Sequence, residues 1–368
     1  MNKKILITCL LVSVMLLVPI NSAYSNIGIK LDNKPINPSN RGITLYVGGM
    51  GPNNYTKIQY AIDNSSDNDT VFVYSGIYFE NVIIDKKISL IGENRDTTII
   101  DANYTKSAVA FRTSRGKVSG FTMQHSGNES LDDAGVRFGK SGKYYKYHII
   151  VGNKMVDNLY GIFGWDQGGY DVDGHIISDN IIMNNKKGGI YYNTAVDSTI
   201  ISNNTISDNK EYGIFLFCSY DNRIFNNTIS NTNGNGICIW GSYLNDVFEN
   251  RLINNKCGVL CFDISWYTNI HNNEFKLNTV GLIIDNCPKS NITKNNFIDN
   301  EVHAIFGIYL LYLLLVKGQM FKWYNNYWDD INNRKIKIIK GEIGFFLSGI
   351  TYPWYNFDWN PVSEPYDI

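Results

Sequence analysis

Two residue columns recur along this sequence in step with each other, and few folds can accept them. A glycine followed by an apolar residue returns at Gly135, Gly161, Gly189, Gly213, Gly236, Gly258 and Gly281, at spacings of 26, 28, 24, 23, 22 and 23. An asparagine flanked by apolar residues returns at Asn153, Asn180, Asn204, Asn227, Asn250, Asn273 and Asn295, at spacings of 27, 24, 23, 23, 23 and 22. A period in this range means one small structural unit per repeat. Each unit stacks on its neighbours because none can bury its apolar side alone.

The residues around each asparagine shape the unit. One apolar residue stands three before it and another two after it: Ile150/Met155, Ile177/Ile182, Ile201/Ile206, Ile224/Ile229, Val247/Leu252, Ile270/Phe275 and Ile292/Phe297. A separation of five would put the two on opposite faces of a continuous strand. Both belong inside, so the chain bends between them. The asparagine is expected at that bend, because it tolerates left-handed backbone and bonds to nearby peptide groups. Stacked in register, these asparagines can also bond to one another. A second asparagine follows five positions later at Asn158, Asn185, Asn209, Asn255, Asn278 and Asn300, with Thr232 standing in for it in one unit. The glycine then opens a strand, as in Gly213-Ile214-Phe215-Leu216-Phe217. Short strands, polar corners and this period describe an all-β chain: a single-stranded, right-handed parallel β-helix. The Leu-x-x-Leu-x-Leu pattern of another solenoid is absent, and a propeller needs longer units.

The ends of such a solenoid need covers. Thr56 to Asn64 carries Ile58, Ala61 and Ile62 at helical spacing and suits a helical cap over the first coil. Ile305 to Val316 is nearly all apolar but too short to span a bilayer, so it reads as a last coil or a cap. The tail is aromatic, with Trp323, Tyr324, Tyr327, Trp328, Trp354, Phe357 and Trp359, and reads as a folded C-terminal cap. At the front, Lys3 and Lys4 precede the apolar run Ile5 to Val18 and the small residues Ser22, Ala23 and Ser25. That is the pattern of an export signal. The expected layout is a signal peptide over 1–25, a linker over 26–43, the β-helix over 44–306 and a cap or tail over 307–368. The product would be secreted or held at the cell surface, with no membrane span left after cleavage.

Export bears on two further features. Eight Asn-x-Ser/Thr sequons could accept glycans. Five cysteines follow the signal: Cys218, Cys238, Cys257, Cys261 and Cys287. Oxidising surroundings permit disulfides, though an odd number leaves at least one thiol over, and cysteine also serves as a small buried apolar residue. Lys plus Arg is 33 against 34 for Asp plus Glu. With no basic excess, nucleic acid is excluded as a partner.

Several motifs resemble a known superfamily. Thr56-Lys57-Ile58-Gln59-Tyr60-Ala61-Ile62-Asp63, Asp69-Thr70-Val71-Phe72-Val73, Gly76-Ile77-Tyr78, Glu80-Asn81-Val82 and Leu90-Ile91-Gly92 resemble the opening coils of pectin-lyase-like proteins. The Gly-Ile and Asn-x-Ile units resemble the NosD-type, or CASH, β-helix repeat. The Asn-Tyr-Trp-Asp block and the Trp359-Asn360-Pro361 ending resemble the tails of archaeal secreted or cell-surface β-helix proteins. The resemblance covers roughly residues 44 to 365. It implies the fold and leaves the function open.

The enzymes of that superfamily offer tests, and no catalytic constellation emerges from them. The paired aspartate motifs of pectin methylesterases have no counterpart here. Polygalacturonase-like hydrolases need Asn-Thr-Asp, Asp-Asp and Gly-His-Gly on one face. Here Asp132-Asp133 stands alone, and Gly174-His175-Ile176 lacks the second glycine. A NosD-like copper role would want soft ligands in a cluster, yet the five His and seven Met are scattered. Metal ligands and cofactors are therefore not expected. The one weak exception is Asp171-x-Asp173-Gly174, which resembles half of a calcium loop.

Two regions stand out as candidate binding sites. Extra residues fall at one corner of two adjacent coils, in loops Gly139–Tyr147 and Asp166–Gly174. They carry Lys140, Lys143, Tyr144, Asp166, Tyr170, Asp171 and Asp173, and solenoid function collects on such loops. The second is a column of aromatics in a chain that is 14% aromatic. Counting the glycine as one, the fifth residue of each long strand is Trp165, Asn193, Phe217, Trp240, Phe262 and Asp285. The third adds Phe163, Tyr191 and Phe215. Alternation from the inward isoleucines turns both positions outward. Such a strip suits stacking on sugar rings, or it stiffens the sheet. The expected function is a non-catalytic, exported β-helix protein that binds polysaccharide or surface glycan, or builds the cell surface. The alternatives are a carbohydrate-active enzyme (lyase, hydrolase or epimerase) and a NosD-like copper-related periplasmic protein.

Overall fold

The chain does bend at each asparagine, but the left-handed residue is the one before it. Positive φ falls on Asp179, Asn203, Asn226, Glu249 and Asn272, each one position ahead of a column asparagine. This corrects the expected division of labour. The preceding residue makes the bend, and the asparagine turns its amide into the coil, where it is fully buried at Asn153, Asn250 and Asn273. The computed structural model describes residues 42–139, 145–165, 173–315, 320–331, 334–344 and 350–368.

Buried amides must find partners, and here they find one another. The backbone N–H and the Nδ2 of Asn204 both donate to Oδ1 of Asn227, each at 2.9 Å. Asn227 repeats this with Asn250 at 3.0 Å for both bonds. The same Asn204 Nδ2 also donates to the carbonyl of Ile177 one coil back, at 3.0 Å. The column runs from Asn153 to Asn326 and ends on a carboxylate. Oδ2 of Asp358 accepts the backbone N–H and Nδ2 of Asn326 at 3.0 and 2.9 Å, and Nε1 of Trp328 at 3.1 Å. An acceptor-only group suits the terminus of a column in which every member donates forward.

Two more columns line the other corners of the coil. The second asparagines behave likewise up to Thr232, whose N–H donates to Asn255 at 3.0 Å while its buried hydroxyl has no partner. The third column precedes the second strand of each coil and holds His148, His175, Thr199, Asn222, Asn245, Thr268 and Ser290, all buried. There the N–H of His148 donates to Nδ1 of His175 at 3.1 Å, as Thr199 N–H does to Asn222 Oδ1 at 2.9 Å.

These columns lock a coil of three strands, for example Gly188–Asn193, Ile200–Ser202 and Thr205–Ser207. The strands pair in parallel with their counterparts one coil away, the third strands forming an 11-stranded sheet. Like side chains therefore stack inside: Ile190, Ile214 and Ile237 from the long strands, and Ile206 and Ile229 from the third. Column glycines let successive coils close up. A Cβ on Gly213 would lie 2.5 Å from both the Gly236 oxygen and a methyl of Ile229. The protein is a right-handed parallel β-helix.

Both ends are covered. The helix Ile58–Asp63 buries Ile58, Ala61 and Ile62 against the first coils. At the far end Phe275, Phe297 and Trp328 stack inside the solenoid at 4.8 and 4.2 Å. The apolar run continues the long-strand sheet as Val302–Tyr309 and then forms the short helix Leu310–Leu315. Parallel pairing continues past residue 306 to Lys337–Gly344, on which Thr351–Asp358 closes antiparallel. The tail aromatics divide: Trp323 and Trp328 are buried, whereas Trp354 and Trp359 face solvent. Residues 1–41, which hold the expected signal peptide and most of the linker, lie outside the described residues. Among the described residues no helix is long and apolar enough to cross a membrane.

Two outcomes follow from the columns. Thr232→Asn supplies the missing acceptor and should raise Tm by about 1–3 °C, at roughly 0.5–1.5 kcal/mol per regained hydrogen bond. Calorimetry showing a lower Tm would count against the column as a source of stability. The histidines set an acid limit. Burial lowers the His148 pKa to about 3, and burial together with the His148 charge holds His175 well below its ordinary range. An unfolded histidine titrates near ~6.5, so below that pH the unfolded chain binds protons that the folded chain refuses. The His148 contribution is then fully present above ~6.5 and falls by about 1.4 kcal/mol per pH unit as pH drops towards ~3, and His175 adds a loss of the same sign. His175→Asn, the residue found at this corner in Asn222 and Asn245, should remove one histidine's share of the slope. Urea midpoints between pH 7 and 4 measure it, and an unchanged slope would refute the assignment.

Candidate functional site

The inward residues of the long strands, Ile190, Tyr192, Ile214, Leu216, Ile237 and Ile239, are fully buried. Alternation then turns the residues between them outward, and these form a continuous ribbon of rings. Phe163 stacks on Tyr191 at 5.6 Å and Tyr191 on Phe215 at 4.6 Å. Phe215 meets Trp240 edge-on at 6.4 Å, Phe217 meets Trp240 at 5.0 Å, and Trp240 stacks on Phe262 at 5.1 Å. Phe163 and Phe215 are buried by their neighbours, while Trp165, Tyr191, Phe217, Trp240 and Phe262 keep part of their surface. The structure thus brings Phe217, Trp240 and Phe262 together. Trp165 sits apart, packed on a cluster of Leu159, Tyr160 and Phe163, with Asn193 between it and Phe217 in the column.

Two ribbon members escaped the alternation rule. Tyr160 lies 5.4 Å from Phe163, and Tyr212 lies 4.7 Å from Phe215. Both directly precede a column glycine. Strand pairing steps from Tyr160–Gly188 to Ile162–Ile190, omitting that glycine, so the residue before it changes side. An aromatic-Gly pair at Tyr160-Gly161 and Tyr212-Gly213 was the available signal. A second outer stack, Phe225–Phe248–His271, with rings 4.9 and 5.2 Å apart, lies on the second strands of the coils.

Stacking decides which surfaces remain for a ligand. Rings piled coil upon coil turn their faces to each other and their edges outward. The pile ends at Phe262, because the next coils place Asp285 and then Gly307 in register with it. One face of Phe262 is therefore not covered by a further ring of the column. Carboxylates gather there. Asp263 accepts Nε1–H of Trp240 at 2.8 Å, and Asp285 accepts Nδ2–H of Asn286 at 2.9 Å. Burial, and then the charges of Asp263 and Glu342, raise the Asp285 pKa above the usual carboxylate range. Burial, and then the charges of Asp263, Tyr309 and Asp285, push the Tyr312 phenol up to about 12.

Of the loop candidates, Tyr144, Asp166, Tyr170 and Asp171 lie outside the described residues. Asp173 is buried, its Oδ2 accepting the N–H of Asp197 at 2.8 Å and its carbonyl that of Tyr147 at 2.7 Å. The bases of the two long loops are thus tied to each other. One further polar cluster sits at the C-terminal end. His303 Nε2 lies 2.7 Å from Asp329 and 3.5 Å from Asp330. The Lys337 ammonium binds Asp330 and stands 5.2 Å over the Trp328 ring.

Comparison with known proteins supports the architecture. The family described as "Periplasmic copper-binding protein (NosD)" matches residues 62–280, more than half of the chain. No curated protein sequence matches. Among solved structures, the fold is similar to the A-module of the Azotobacter vinelandii mannuronan C-5 epimerase AlgE6. The TM-score is 0.58 at 17% identity, over 73% of this chain and 80% of that one. The AlgE4 A-module of the same organism gives 0.56 at 15% identity, over 73% and 86%. The Dettilon tailspike protein gives 0.51 at 14% identity, over 77% and 61%. At these identities the likeness is one of fold.

Proposed function

This chain belongs to the NosD family, and we propose that it works as an exported β-helix protein that binds polysaccharide at the Phe262 end of its aromatic ribbon. The observation that carries the reading is the end of the ring column: a half-buried Phe262 beside Asp263, with Asp285 in register in the next coil. A sugar ring offers apolar C–H groups to such a face and hydroxyl donors to such carboxylates, and a few placed polar groups on an apolar bed are what orient a small ligand. The mannuronan epimerase modules among the fold neighbours are consistent with a surface of this kind. The periplasmic description of the family and the basic-then-apolar N-terminus support export.

The copper in the family's description fits these residues poorly. Copper sites draw on grouped imidazole and sulfur ligands. The three-donor group found among the described residues is His303 with Asp329 and Asp330, and Lys337 already supplies its cation. The touching thiols of Cys261 and Cys287 are sealed from solvent, and burial raises the Cys287 thiol well above its ordinary pKa.

A second reading, a carbohydrate-active enzyme, is favoured by Asp285 alone. A carboxyl whose pKa is raised by burial, beside a second carboxyl, is the kind of pairing that acid-assisted glycoside cleavage uses. The two readings part on one panel of polysaccharides. Binding alone gives retention without new reducing ends or unsaturated products, and Asp285→Asn then leaves no turnover to abolish. Phe262→Ala should weaken retention about tenfold, the worth of ~1.4 kcal/mol, while Phe225→Ala in the separate stack on the second strands leaves it unchanged. Affinity electrophoresis measures both. Equal retention of the Phe262 variant and the wild type would overturn the site.

A further inference from the structure

The long strands place a large apolar residue at one inward position, Tyr192, Leu216 and Ile239, and the next coil puts Cys261 there. The following corner carries a serine column. Val196 N–H donates to Ser219 Oγ, Ser219 N–H to Ser242 Oγ, and Ser242 N–H to Ser265 Oγ, at 3.3, 2.9 and 3.2 Å. One coil later that position is Cys287, whose sulfur accepts the N–H of Ser265. Both positions thus break their column's habit with a cysteine, and the two exceptions meet. Cys261 Sγ and Cys287 Sγ lie 3.2 Å apart, and both side chains are fully buried. Closing to a disulfide of ~2.05 Å needs only about 1 Å of movement by two side chains on adjacent coils.

We propose that Cys261 and Cys287 are joined by a disulfide in the exported protein, a staple between consecutive coils just beneath the Phe262–Asp285 site. The proposal rests on export and not on polysaccharide binding. The bond forms by exchange with an external disulfide carrier. The two thiols give up two protons and two electrons, Cys261 Sγ bonds to Cys287 Sγ, and the carrier's S–S bond is reduced to two thiols. Exchange needs a thiolate with access to the carrier. In the closed coil, burial holds the Cys287 thiol well above its ordinary pKa, and no solvent reaches either sulfur. Oxidation therefore belongs to the stage before these two coils close.

The test uses the full chain, exported into an oxidising compartment and purified without reductant. The protein is denatured in an alkylating reagent, digested and weighed. The expected result is one linked peptide containing Cys261 and Cys287, about 2 Da lighter than its two halves with both thiols free, and released by reductant. Alkyl groups on both Cys261 and Cys287 overturn the proposal, as does a link from either one to a different cysteine. A second readout uses Cys261→Ile with Cys287→Ser, the residue types of the neighbouring coils. Wild type unfolded and refolded in reductant should melt about 5 °C below the oxidised protein, whereas the double variant should melt alike with and without reductant. Equal melting of oxidised and reduced wild type contradicts the staple.

Discussion

The structure depends on one interaction: an asparagine amide that donates to its counterpart one coil ahead and accepts from the counterpart one coil behind. A parallel solenoid must turn its backbone inward at every corner, where peptide groups leave the ladders and water cannot follow. The carboxamide answers this with two donors and a strong acceptor on a short stem. In Asn204 those groups reach Asn227 ahead, Ile177 behind and Ser202 in its own coil. An unpaired buried polar group costs roughly 1–3 kcal/mol, so slipping a coil by one residue would strand a whole corner. That penalty holds the unit near 23 residues from Gly189 onward. It also explains where length can vary. The two insertions fall at the corner between the long and second strands, and the serine column of that corner begins at Val196, just after the second insertion ends.

The same stacking governs the outside. Side chains of one type are brought about 5 Å apart by adjacent coils. Aromatics placed outward therefore satisfy one another first, as Tyr191 and Phe215 do at 4.6 Å. What is left for a ligand is set by where a column stops. On the long-strand sheet it stops at Phe262, where Asp285 takes the next place. Inside the core the identical rule produces the C-terminal cover, with Phe297 at 4.2 Å from Trp328.

Much of this was legible in the residue order because stacking copies each position from coil to coil. The inward pairs such as Ile201/Ile206, both asparagine columns and the helix over Ile58, Ala61 and Ile62 are all periodic signals. The bend was misplaced by one residue because Asp179, Asn203, Glu249 and their equivalents share no single side chain. Left-handed backbone is a property of the turn, and a buried amide is the more visible partner. The histidine–threonine–asparagine corner and the serine column were missed for a like reason: hydrogen-bonding capacity recurs there while residue identity changes. The ribbon is legible in part. Phe217, Trp240 and Phe262 follow strand alternation, whereas Tyr160 and Tyr212 sit before a glycine that resets it. The contact between Cys261 and Cys287 joins two different columns and has no repeat signature at all.

If the amide columns hold the coils in register, their side-chain protons must be among the slowest in the protein to exchange. NMR of protein labelled with 15N at asparagine Nδ2, followed after transfer to deuterated water, measures this directly. The account predicts that Asn180, Asn204, Asn227, Asn250 and Asn273 keep their Nδ2 protons for as long as the core strand amides do, and lose them together when the fold melts. Rapid exchange at these positions in an otherwise folded protein would contradict it.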